Sequence, residues 1–199
     1  MYYVEFIERD RFMPVEIFRT LADQASSWVD PAADRMVLQL GRTMRLGPRP
    51  AYLALWRIAG LERLDAWEAY FSTDAYRTGN PRSHAMHRAI EIARAGLYDA
   101  PIDSGTSREG LHVVEFLEGS APTDAVAAWY GDRARAWPGG RLGYVLTRVG
   151  ALGPDPAHLA VWTFADYAAA EAFVRADPGA GPLRVVGAGV YRWLGDEVL

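Results

Sequence analysis

Two of the chain's four histidines, His84 and His87, stand three residues apart in a polar stretch, residues 72–88, that also carries Tyr76. An imidazole titrates near pH 6.5, so it can take or give a proton at neutral pH with little tuning. His87 reads as a general base, with Tyr76 and Tyr52 orienting or protonating an oxyanion. His84 and His158 read as polar contacts for a substrate, and Trp56 and Trp67 as apolar walls; the competing reading of the histidines is a solvated or satisfied one. His84, His87 and Glu91 also stand at i, i+3 and i+7. A helix would set the ends of that series about 10.5 Å apart, too wide for one ion held at about 2.1 Å, so no metal ligands are assigned. Glu5 and Glu115 each lie in a Val-Glu-Phe run. Buried, they would have raised pKa values and could act as acids; exposure at a strand edge is the competing reading. Salt bridges to Arg42 and Arg148 would explain those arginines.

The absent residue types narrow the chemistry further. The 199 residues include no cysteine and no lysine, all 21 basic residues being arginine. Disulfides, thiolate nucleophiles, cysteine-bound metals, Schiff bases and a Walker-type phosphate loop are therefore excluded. A formal charge of −4 gives no footprint for nucleic acid. No apolar run is long enough to span a membrane and no signal-like segment opens the chain, so a cytoplasmic protein is expected.

A repeat organises the elements that must position these residues. Residues 46–56 match 152–162 at 8 of 11 positions, at a constant offset of 106. The openings Val4-Glu5-Phe6 and Val114-Glu115-Phe116 correspond, as do the closings Gly96-Leu97-Tyr98 and Gly189-Val190-Tyr191. The pattern reads as a tandem duplication: a first unit at 1–98 carrying the cleft, a linker at 99–110, and a second unit at 111–199 serving mainly as scaffold. Each half reads strand (Tyr2–Glu8), helix (Phe12–Trp28), strand (Met36–Leu46), strand (Tyr52–Ile58), helix (Leu61, Leu64, Trp67, Phe71) and strand (ending near Tyr98). Thr123 and Asp166 are expected N-caps in the second half. An additional helix is expected from Asn80 and Pro81 to Gly96, with Met86, Ala89, Ile90 and Ala93 on its apolar face. The order βαββαβ is the ferredoxin-like unit. A single unit leaves one sheet face uncovered, so the expected fold is α+β, two tandem ferredoxin-like units packed sheet to sheet as an intramolecular α/β barrel.

The run Gly-Pro-x-Pro-Ala-[Tyr/His]-Leu-Ala-x-Trp followed by an amphipathic helix resembles the dimeric α/β-barrel superfamily, nearest its NIPSNAP-like and antibiotic-biosynthesis-monooxygenase-like branches. The resemblance implies a ligand cleft between sheet and helices. It also implies a catalogue of activities that includes cofactor-free monooxygenases, polyketide cyclases and haem proteins, so the fold alone does not choose among them. In cyclase-like members a His opens the third strand, matched here by His158 and Tyr52. Another follows the second helix, where this chain has Tyr76.

The function expected is that of a small-molecule enzyme using acid/base chemistry without a cofactor: an enolisation-type cyclase, a carbon–carbon lyase or a monooxygenase. Its substrate would be apolar, aromatic or polyketide-like. The alternatives are a haem or His-ligated metal protein of the same fold and a non-catalytic small-molecule binder. No nucleic acid or membrane partner is expected, and a homodimer is compatible with the sequence.

Overall fold

The computed structural model describes residues 1–9, 34–48, 50–71 and 90–194. The helix expected at Phe12–Trp28 lies outside them, as do His84, His87 and Tyr76. The described elements are β1 (Tyr2–Arg9), β2 (Arg35–Arg42), β3 (Tyr52–Arg57), α1 (Arg63–Phe71), β4 (Ile90–Asp103), β5 (Leu111–Glu118), α2 (Thr123–Ala136), β6 (Gly140–Arg148), β7 (His158–Phe164), α3 (Tyr167–Arg175) and β8 (Arg184–Trp193). No described helix is long and apolar enough to cross a membrane.

The eight strands close into one barrel in the order β1-β3-β2-β8-β5-β7-β6-β4, with every neighbouring pair antiparallel. The first four strands run β4-β1-β3-β2 and the last four β8-β5-β7-β6, so the second set repeats the order of the first. The two sets do not stack as a sandwich. They join edge to edge, β2 on β8 and β4 on β6, which removes free sheet edges.

Strand alternation sorts side chains to two surfaces. One set fills the barrel interior from all eight strands, including Val4, Leu40, Leu55, Tyr98, Val114, Leu146, Val161 and Tyr191. The other faces outward. In the second half it forms a core with α2 and α3 through Trp162, Tyr130 and Phe173. In the first half, Tyr52, Trp56, Ile58 and Leu97 cluster with Trp67 of α1.

The repeated motifs lie at the two seams. Thr43 donates its N–H to Val190 O at 2.9 Å, and Val190 donates to Leu46 O at 3.1 Å. The mirrored set is Val149 N–H to Leu97 O and Leu97 N–H to Leu152 O, both 2.8 Å. Each loop thus pairs with the closing strand of the other half. A methyl on Gly47 (φ +102°) would fall 2.3 Å from the Gly189 Cα, and one on Gly153 (φ +154°) 2.9 Å from the Gly96 Cα. Only glycine permits this approach. Arg42 and Arg148 serve the same loops, through Nη1 to Gly47 O (3.1 Å) and Gly153 O (3.0 Å). The salt bridges expected from them to Glu5 and Glu115 do not form; Arg148 pairs with Asp155 instead.

Three local expectations also change. Ile90 to Gly96 is strand, not the end of a helix, because it pairs with β1 in register from Tyr98 opposite Tyr2 to Ile90 opposite Arg9. β4 continues to Asp103 and pairs with β6, five residues into the stretch expected to be a linker. Thr123 is the first residue of α2 rather than its cap, with Pro122 preceding it and no side-chain cap hydrogen bond. Asp166 does cap α3, accepting from Ala169 N–H at 2.8 Å.

Candidate active site

Glu5 and Glu115 occupy equivalent places on the central strands β1 and β5, and both point to the outer sheet face. In each half the indole at the equivalent β3 or β7 position donates to the carboxylate: Trp56 Nε1 to Glu5 Oε2 and Trp162 Nε1 to Glu115 Oε2, both 2.9 Å. Beyond that bond the two sites differ.

Glu115 is fully occupied. Arg133 of α2 donates from Nη1 to Oε2 (2.9 Å) and from Nη2 to Oε1 (2.8 Å), and Tyr130 donates its hydroxyl to Oε2 at 3.1 Å. The guanidinium is itself enclosed by the rings of Trp129, Tyr130, Trp162 and Phe173, at 5.0–5.6 Å from their centroids. This arrangement is a closed buried ion pair.

Among the described residues no such cation reaches Glu5, and Trp56 is its one hydrogen-bond partner. Its neighbourhood is aromatic. Trp67 meets Trp56 edge-on at 5.4 Å and Tyr3 at 5.5 Å. Tyr3 stands two residues before Glu5 on the same outward face and opposite Trp56 in register. Loss of hydration in these surroundings raises the Glu5 carboxyl from 4.5 to about 7, against the lowering effect of the Trp56 bond. Burial, aided by the nearby Glu5 charge, pushes the Tyr3 phenol well above its usual range, so it stays a proton donor. The pair therefore offers a carboxyl poised to exchange protons near neutrality beside a phenol that keeps its proton.

Asp34 supports this wall. Its Oδ2 accepts from Arg63 Nε (3.0 Å), Arg63 Nη2 (2.9 Å) and Trp67 Nε1 (3.2 Å). These bonds tie the start and middle of α1 to the residue entering β2, and they fix the Trp67 ring against Trp56.

Of the residues singled out from sequence, Tyr52, Trp56 and Trp67 come together in one outer-face cluster. Tyr52 packs there beside Gly41 and is 7% exposed. His158 lies in the other half. Its Nε2 faces the Gly119 carbonyl at 3.2 Å, which can only accept, so Nε2 carries the proton and Nδ1 accepts from the Thr147 hydroxyl at 3.1 Å. Burial lowers its pKa, and both nitrogens are engaged. Sequence reasoning missed Tyr3 and underweighted Glu5. The available signal was the Val-Glu-Phe repeat.

Among the described residues no group of three His, Asp or Glu side chains could hold a metal ion. His112 faces the barrel interior, fully buried, and His158 is engaged as above, so neither suits an axial haem ligand.

No protein-family model matches the chain, and no curated protein matches it in sequence. Solved structures do share its fold. An anthrone oxidase-like protein superposes with a TM-score of 0.55 at 15% identity, over 99% of this chain and 94% of its own. A mutant chlorite dismutase from Candidatus Nitrospira defluvii, in complex with cyanide, gives 0.57 at 10% identity, over 98% and 91%. A protein from Lactobacillus acidophilus, provisionally named a monooxygenase, gives 0.57 at 7% identity, over 97% and 93%. At these identities the likeness extends to the barrel architecture.

Proposed function

We propose that the chain is a small-molecule enzyme whose first half moves a proton on and off carbon, with Glu5 as the base and Tyr3 as the donor to the developing oxyanion. The supporting observation is the contrast between two equivalent carboxylates, one neutralised by Arg133 and the other met, among the described residues, by a single indole N–H. A structural carboxylate gains from a buried cation partner; a proton-transfer carboxylate works best with a pKa near the operating pH.

The step balances within the site. A C–H bond next to a substrate carbonyl breaks, its proton passes to a Glu5 oxygen, and the electron pair moves onto the carbonyl oxygen. The Tyr3 hydroxyl donates a hydrogen bond to that oxygen. Trp56 and Trp67 favour a flat, largely apolar aromatic or polyketide-like compound. The resulting enolate is the common entry to cyclisation, carbon–carbon cleavage and oxygenation. Names among the structural neighbours, oxidase-like and monooxygenase, favour the last. On this reading the halves are diverged copies of one ferredoxin-like unit, with the second as scaffold. No step is derived through haem, because the described histidines do not fit it; the expected base His87 and the phenol Tyr76 lie outside the described residues.

The test is solvent deuterium exchange into an aryl ketone with acidic C–H bonds, followed by NMR. The wild-type rate should rise with pH through about 7, following Glu5 ionisation. Glu5→Gln should slow exchange by about 10²–10⁴-fold while ketone quenching of tryptophan fluorescence persists. Exchange at the wild-type rate in Glu5→Gln would remove the proposal.

A further inference from the structure

The end of the barrel holding the Tyr2 and Tyr144 hydroxyls has a different electrostatic character from the rest of the chain. The protein as a whole is acidic, at −4, yet three arginines and a single aspartate act on the Tyr144 phenol. Arg35 pairs with Arg57 in register across β2 and β3, Arg57 pairs with Tyr2 across β3 and β1, and Asp103 lies opposite Tyr144 across β4 and β6. Arg141, opposite Thr163, comes from the far side of the same opening.

Arg57 donates from Nε (3.1 Å) and Nη2 (2.9 Å) to the Tyr2 hydroxyl and from Nη2 to Asp103 Oδ2 at 2.5 Å; Tyr2 donates to the same Oδ2 at 2.7 Å. That network uses the one carboxylate. Arg141 spends one nitrogen on Gly105 O at 2.8 Å, and Arg35 is exposed with no partner among the described residues. Between these arginines stands Tyr144, edge-on to Tyr2 at 5.8 Å and only 3% exposed, its hydroxyl without a hydrogen-bond partner among the described residues. The charges of Asp103, Arg57, Arg35 and Arg141 all bear on that phenol, the carboxylate most strongly of the four. Three guanidiniums against one carboxylate give this mouth a positive field that favours an anion.

We propose that this barrel mouth binds a doubly charged oxyanion, inorganic phosphate or the phosphoryl group of a small ester, between Arg35 and Arg141 with the Tyr144 hydroxyl as an added donor. The surplus of two positive charges matches a dianion. Guanidinium donors approaching from opposite walls suit a tetrahedral group with several acceptor oxygens better than a planar carboxylate. The site is separate from the Glu5 face, which lies outside the barrel.

Isothermal titration of the full chain with inorganic phosphate, at fixed ionic strength, tests this. Saturable binding with a stoichiometry of one is expected, with sulfate weaker and acetate silent. Arg35→Gln and Arg141→Gln should each weaken phosphate binding by about tenfold, as loss of a charge-assisted contact does, and Tyr144→Phe by a few-fold. The melting temperature without phosphate reports whether each variant is folded, and Arg35, exposed and without a partner among the described residues, is the position least able to disturb the fold. Tighter binding of glycerol phosphate than of phosphate would identify an ester as the ligand; equal binding would identify the free ion. No saturable heat, or equal affinity in Arg35→Gln and wild type, would overturn the proposal and mark any binding as an adventitious ion only.

Discussion

Removing the guanidinium of Arg133 would leave Glu115 buried with only Trp162 and Tyr130 to satisfy it. Breaking one side of a buried ion pair costs about 3–5 kcal/mol, so Arg133→Met should lower the urea midpoint sharply at pH 7. A loss below about 1 kcal/mol, the size of an exposed pair, would show that Glu115 is not held as described. The two glutamates were visible in the sequence because each sits in a repeated Val-Glu-Phe run. Their partners were not. Arg42 and Arg148 looked suitable because they match across the halves, but strand register points them to their own loops, at Gly47 and Gly153. Arg133 is 18 residues from Glu115 and meets it only once α2 lies across the sheet.

Helices and strands were legible where one periodicity prevailed. Asp166 was identifiable as a cap, and Asp166→Ala should cost about 1 kcal/mol through loss of the bond to Ala169 N–H; a urea titration unchanged within a few tenths would contradict the assignment. Thr123 has the right side chain but stands one place too late, inside the first turn. The segment after residue 89 was misread for a physical reason. Ile90-Glu91-Ile92-Ala93 alternates like a strand, yet Met86, Ala89, Ile90 and Ala93 also fall at helical spacing. Hydrogen bonding to β1, a contact distant in sequence, decides between them. Gly96 was taken for a helix terminator and is a seam residue instead. The seam yields its own prediction: Gly47→Ala, with its Cβ 2.3 Å from a backbone carbon, should destabilise by more than about 2 kcal/mol. Gly139→Ala, whose Cβ meets nothing within 4 Å, is the control.

Across the molecule, two groups shifted by loss of hydration titrate in opposite directions. Burial pushes His112 down from 6.5 to about 4, so the unfolded chain binds its proton first. The stabilisation from keeping it neutral is complete above pH 6.5 and is lost as pH falls toward 4, about 3 kcal/mol in all. Glu5, raised from 4.5 to about 7, stabilises the fold most below pH 4.5, and that contribution fades as pH rises through 7. Between pH 4.5 and 6.5 the two slopes oppose each other. Glu5→Gln removes one of them, so its stability should fall more steeply than wild type as pH drops from 6.5 to 4.5. Parallel urea midpoints for the two proteins across that range would refute the opposing pair.

The α/β barrel was legible because the repeat implied two similar sheets that must cover each other's exposed faces. How they do so was not, since a sandwich and a closed ring satisfy the same pattern. The ring is fastened by main-chain bonds and bare glycines, and that clasp makes no demand on what decorates the outside. Either flank can change its side chains without loosening the closure, so one flank can seal its acid beneath a cation while the other, on the function proposed above, keeps its acid for proton transfer.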